Sequence, residues 1–208
     1  MSASASSTSG RLAYLTREIP RRAVRASLCR LFDVRPWHIA SGVNKPYVHD
    51  ILAYLKARQP RRVVEVGCGF CDILSHLHAP VRLGFDANAN VLRAARLYTR
   101  LKGAAVSLQQ HDLIQDGVPA VDAEAWILVN WLHEFAPDPV ARRLREVFAQ
   151  LPPAGVMIFD TVLAPPYRYA HDARAIMTGL PCRCEAISRG PDGRVVWAAE
   201  RIAGVISR

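Results

Sequence analysis

VVEVGCGFCD, Val63–Asp72, is a short β-branched apolar run that stops at two closely spaced glycines with an acid just before them. Val63, Val64 and Val66 favour a buried strand, and Gly67 and Gly69 allow the tight turn and close backbone approach that a side chain would block. Strand, glycine turn and following chain together form the entry to a βα unit, the place where an open α/β sheet binds ligands.

Outward from this stretch, the runs RVVEV, VRLGF, AVSLQ, AWILVN and VMIFDTV are nearly continuous in apolar residues and spaced widely enough for crossovers, as buried parallel strands are. Helices are expected over CDILSHL, NVLRAARLYTRL, PVARRLREVFAQL and YAHDARAIM, and KPYVHDILAYLKARQP gives a helix ahead of the first strand, with Val48, Ile51, Leu52 and Leu55 as its buried stripe. CRCEAISRG and GRVVWAAERI, joined by Gly190-Pro191-Asp192-Gly193, read as a terminal hairpin. The fold class is therefore α/β: a Rossmann-like, doubly wound, mostly parallel seven-stranded sheet with a C-terminal antiparallel hairpin and an N-terminal helical arm.

Three segments are expected: a disordered start over 1–10, a basic helical arm or lid over 11–45, and one ligand-binding domain over 46–208. In the arm, Pro20 separates two short helices, with Val24, Leu28, Leu31 and Phe32 along one face and arginines on the other. The net charge of +9 lies entirely at this end, since the chain up to Arg62 holds 12 basic and 3 acidic residues and the remainder is balanced. That excess fits a solvated arm, or an arm for an anionic substrate, nucleic acid or membrane surface. The longest apolar runs fall short of the roughly 18 residues of a bilayer span, and the start lacks a signal-peptide core, so a soluble, cytoplasmic protein is expected. Five cysteines form an odd set. Cys68-x-x-Cys71 and Cys182-x-Cys184 lack regular finger spacing and Cys68 lies in the glycine turn, so no metal site is expected.

Asp86, at the end of the second predicted strand, stands where an acid accepts hydrogen bonds from ribose hydroxyls, which suits NAD and S-adenosylmethionine alike. Three features separate them. A dinucleotide needs its pyrophosphate against a helix N-terminus, usually with a third glycine; here Phe70-Cys71-Asp72 puts a carboxylate at that end. Glu65 suits the ammonium of an amino-acid tail, and Asp112, after the third strand, is placed to accept from an adenine amino group.

On these residues the chain, over about 45 to 202, resembles the class I S-adenosylmethionine-dependent methyltransferases. EVGCG is similar to the family's first motif, GFDAN to its ribose-binding acid, HDL to its adenine-binding acid, and the terminal hairpin to its last two strands; Cys71 replaces the motif's last glycine. The resemblance implies S-adenosylmethionine as cofactor, held by Glu65, Gly67, Cys68, Gly69, Asp86, Ala87, Asp112, Leu113 and Asn130. The segment Asn130-Trp131-Leu132-His133-Glu134-Phe135 resembles the Leu-His-Asp-Trp segment of small-molecule O-methyltransferases, whose histidine serves as base, and makes His133 the catalytic candidate. Trp37, His38, Lys45, Tyr47, Trp131 and Glu134 are candidates for the acceptor side or a lid. With little room for a separate substrate domain, a small-molecule acceptor is expected. Two readings stay open beside it: an RNA or protein methyltransferase guided by the basic arm, and an inactive cofactor-binding partner subunit.

Overall fold

The computed structural model describes residues 20–163 and 167–202. The expected disordered start and the first helix of the arm lie outside them. The strands among the described residues are β1 (Arg62–Val66), β2 (Val81–Asp86), β3 (Ser107–Gln110), β4 (Ala125–Leu128), β5 (Val156–Thr161), β6 (Cys182–Arg189) and β7 (Val195–Arg201). They form one sheet of order β3-β2-β1-β4-β5-β7-β6. β7 runs antiparallel to both β5 and β6, whereas β1 to β5 pair in parallel. The chain leaves β1 toward one edge and returns to build the other from β4. The switch point at the β1/β4 carboxyl ends is thus set by topology.

Both sheet faces are covered, which is why the strands read as unbroken apolar runs. Val63, Ile127, Ile158 and Ala198 pack on one face beneath a helix over 20–31 (α1), α2 (Pro46–Arg58) and α3 (Ala89–Leu101). Their neighbours Val64, Trp126, Phe159 and Ala199 face α4 (Pro137–Gln150) and the short α5 (Ala173–Met177). Pro46 and Pro137 open α2 and α4, and the Asn88 side chain caps α3 by accepting from the Asn90 and Val91 amides.

Two expectations are corrected. CDILSHL is not an α-helix: after a series of turns it holds a 3-10 turn, Leu74–His76. Ile73, Leu74 and Leu77 are buried as their spacing requires, but Cys71 has φ +59° and interrupts helical hydrogen bonding at its start. In α1 the exposed residues include Val24 and Leu31, and the buried face carries Arg25, Leu28 and Cys29. Arg25 turns inward because its partner, Asp72, is buried below it. The N-terminal charge excess stands as counted, and three of its arginines, Arg25, Arg58 and Arg62, pair with Asp72, Glu200 and Asp122 elsewhere in the fold. Among the described residues no helix is long and apolar enough to cross a membrane.

Candidate functional site

The turn after β1 alternates left-handed residues: Gly67 has φ +66°, Gly69 +51° and Cys71 +59°. Cys71 thus keeps, at a cost in strain, the backbone that a glycine adopts freely. A Cβ on Gly67 would lie 3.0 Å from Cδ1 of Trp131, so the turn and the segment after β4 meet only without a side chain. The turn amides are already committed. Cys68 N donates to Phe85 O at 2.9 Å, Gly69 N to an Asp86 carboxylate oxygen at 3.2 Å, and Cys71 N to Cys68 O at 2.7 Å. With these amides used and no α-helix following, the two features that hold a pyrophosphate are both missing from this stretch.

Asp72 closes the far side of the turn. Arg25 reaches it with two hydrogen bonds, 2.7 and 3.1 Å, and the Gly42 amide donates to it at 2.7 Å. Burial pushes the Asp72 carboxyl up, but Arg25 and the Gly42 amide outweigh this and hold it below the usual range. The Arg25 guanidinium also donates to His38 O at 2.8 Å and lies over the Phe70 ring. His38 is buried between Trp37, centroid at 3.7 Å, and Phe70, at 5.6 Å. Burial, then the Arg25 charge, lowers its pKa to about 4, so it is a neutral ring in this stack.

Between these walls runs a cleft with Glu65 on its floor, the glycine turn on one side, and Lys45, Tyr47, Val129 and Asn130 on the other. One Glu65 carboxylate oxygen is buried without any hydrogen-bond partner. Burial, together with the Asp72 and Asp86 charges, pushes its carboxyl well above the usual range. Asn130, at φ +62°, donates from its side chain to the Tyr47 hydroxyl at 3.1 Å. Asp86 ends β2 with its oxygens accepting from the Asn88 and Gly69 amides; burial raises its pKa, against those two bonds. Ala87 follows it on the surface. Asp112 caps the turn after β3 by accepting from the Ile114 and Gln115 amides, and the Leu113 side chain is buried in the core.

The structure does not bring His133 or Glu134 to the cleft wall. Glu134 is exposed, and His133 is 3% exposed behind Asn130. His133 Nε2 lies 3.3 Å from Asp160, a fully buried carboxylate that also accepts from the Asn130 amide and from Arg194. Facing a carboxylate, Nε2 carries the ring proton; Nδ1 has no partner. Burial, then Arg194, lowers the His133 pKa to about 4. We propose that His133, expected from the sequence as a base at the acceptor, instead positions Asp160 and through it Asn130. His133→Gln is accordingly expected to lower stability while leaving the pH profile of turnover unshifted; a hundredfold fall in kcat relieved at high pH would restore the base.

Asp160, Arg194 and Tyr167 escaped sequence reasoning. Arg194 is 4% exposed, donates to Asp160 and to the Tyr167 hydroxyl, and lies over the Tyr47 ring. The one available signal was a lone acid inside the apolar run VMIFDTV.

The fold is shared with solved structures. Magnesium protoporphyrin IX methyltransferase from Synechocystis, with bound S-adenosylhomocysteine, superposes with TM-score 0.63 at 16% identity over 76% of this chain and 84% of that one. The chain has the fold of the class I S-adenosylmethionine-dependent methyltransferases. The methyltransferase domain of a bacterial Hen1 matches at TM-score 0.62, 16% identity, over 78% of this chain and 100% of that one. Human N-acetylserotonin methyltransferase, in complex with S-adenosylmethionine, matches at TM-score 0.58 and 14% identity over 92% of this chain and 58% of that one. No protein-family model and no curated protein matches the sequence. Glu65 and Gly67 stand at the carboxyl end of β1 and line the cleft, whereas Asp86 ends the neighbouring β2.

Proposed function

We propose that the protein is an S-adenosylmethionine-dependent methyltransferase acting on a small-molecule acceptor. The observation that carries this is Glu65, a buried carboxylate in the cleft lining with one oxygen that has no hydrogen-bond partner. A buried carboxylate without a donor costs stability unless a ligand supplies one, and a ligand ammonium does so with opposite charge. The glycine turn fits the same group, because Gly67 and Gly69 leave backbone where a side chain would fill the cleft.

Glu65 then holds the amino-acid tail, Asp86 the ribose, and Asp112 with the Leu113 backbone the adenine edge. Cys68 and Ala87 line the path between. Asn130 and Tyr47 stand at the opposite wall, where a reacting methyl would meet the acceptor. When bound, S-adenosylmethionine would supply an electrophilic methyl group, and these residues would hold it in line with the acceptor. The protein's part is alignment and exclusion of water. Tyr47 contributes a neutral hydroxyl, its pKa pushed up to about 12 by burial first of all. It accepts from Asn130, which leaves its own proton free to donate.

Titration calorimetry tests the assignment. S-adenosylmethionine is expected to bind and NAD not to; tight NAD binding would overturn it. Asp86→Ala removes a charge-assisted hydrogen bond of about 1.5 to 3 kcal/mol, roughly ten- to a hundredfold in affinity. Unchanged affinity in that variant, folded, would remove Asp86 from the ribose.

A further inference from the structure

Trp37 and Lys45 line the same cleft and neither is used by the fold around it. Trp37 is 63% exposed although one ring face is covered by His38 at 3.7 Å. An indole held flat by a buried neighbour, with its other face open, is a stacking platform prepared before any ligand arrives. Lys45 is half-buried, and among the described residues its ammonium has no hydrogen-bond or ion-pair partner, only the Tyr47 ring at 5.7 Å.

The other charges around the cleft are spoken for. Asp72 is held by Arg25, and Asp160 by Arg194. The Glu65 carboxyl is pushed well above the usual range by burial first of all, which disfavours its charged form. Lys45 is therefore a cation with no carboxylate in contact among the described residues, acted on by Asp72 and Asp192 only at a distance. Burial, then Arg194, lowers its own pKa against the pull of Asp72 and Asp192, and an anion beside it would add to that pull.

We infer that the acceptor is a planar conjugated molecule bearing an anionic group such as a carboxylate, with the open face of Trp37 taking the ring and Lys45 the anion. The inference rests on the methyltransferase reading and names its substrate class. Stacking fixes the plane of the acceptor, and the ion pair fixes its rotation within that plane. Together they set which atom faces the methyl. A ring without the anion lacks the second constraint, and an aliphatic acid lacks the first.

The competing role for Lys45 is the carboxylate of the cofactor's own amino-acid tail, and one set of titrations separates the two. The full chain is titrated first with S-adenosylhomocysteine, then, saturated with it, with 2-naphthoate and with the matched neutral 2-naphthamide. The naphthoate is expected to bind at least about tenfold tighter than the amide. Lys45→Met is expected to erase that preference with S-adenosylhomocysteine affinity kept within about threefold, and Trp37→Ala to weaken both probes alike by about tenfold. Equal affinity for acid and amide in the wild type, or no binding of either, overturns the inference while leaving the methyltransferase reading in place. A tenfold or greater loss of S-adenosylhomocysteine affinity in Lys45→Met overturns it too and gives the lysine to the cofactor. Failure of S-adenosylhomocysteine to bind the wild type overturns the underlying reading and this inference with it.

Discussion

Arg25→Ala is expected to cost about 3 to 5 kcal/mol of folding stability, because it strips the partner from a buried carboxylate. Arg25 is 2% exposed and its Asp72 partner's side chain 17%, so little solvent is available to replace the lost bonds. For a chain of this size the loss corresponds to a drop in melting temperature of roughly 6 to 20 °C. The pH dependence identifies the cause. In the wild type the Asp72 carboxyl is held low, so its stabilisation is complete above the ordinary aspartate range and is lost as pH falls through the depressed value. In Arg25→Ala, burial acts with less opposition and the sign reverses, so the deficit against wild type is expected to shrink on acidification. Arg25→Met with Asp72→Asn, which keeps an acceptor for the Gly42 amide, is expected to recover most of the loss. A single substitution with an unchanged melting temperature would mean that α1 is only laid against the domain.

Glu65→Gln has opposite expected effects with and without cofactor. In the free protein the folded state keeps the Glu65 proton to a higher pH than the unfolded chain, so this group removes stability as pH rises above the ordinary glutamate range. Glutamine cannot ionise, and the free variant is expected to equal or exceed the wild type in melting temperature at neutral pH. With S-adenosylhomocysteine the order inverts. The variant loses a buried charge pair of about 2 to 5 kcal/mol, about thirty- to several-thousandfold in Kd. Binding to the wild type releases the Glu65 proton, so affinity is expected to rise with pH until the free carboxyl ionises and then to level. In the variant this slope disappears. A wild-type affinity independent of pH, with no proton release on changing buffer, would show that Glu65 does not meet the ammonium.

The strands were legible because both faces of this sheet are buried: Val156 to Phe159 lie at 0 to 2% exposure, so side chains on either face must be apolar and the run stands out by length. The glycine turn and the acids Glu65 and Asp86 were legible for a related reason, since strand ends fix where they stand. What failed shares one cause. Apolar spacing reports burial, not backbone, so Ile73, Leu74 and Leu77 imitated a helix that the left-handed Cys71 forbids. It also sends every arginine to solvent. Arg25 finds Asp72 from 47 residues away, and Arg194 finds Asp160 from 34, pairings that no local pattern records. His133 lies in a 3-10 turn after β4, where the direction of its side chain is decided by what it pairs with, here Asp160, which no spacing records.

The central claim is methyl transfer from S-adenosylmethionine to a small molecule, and the direct measurement is the fate of a radiolabelled methyl group. The full chain is incubated with labelled S-adenosylmethionine and either a small-molecule cell extract or total RNA, with Glu65→Gln as the parallel control. Label is expected in a low-molecular-mass product, lost in the control and absent from RNA. Label in RNA alone, or no enzyme-dependent transfer to either fraction, would contradict it.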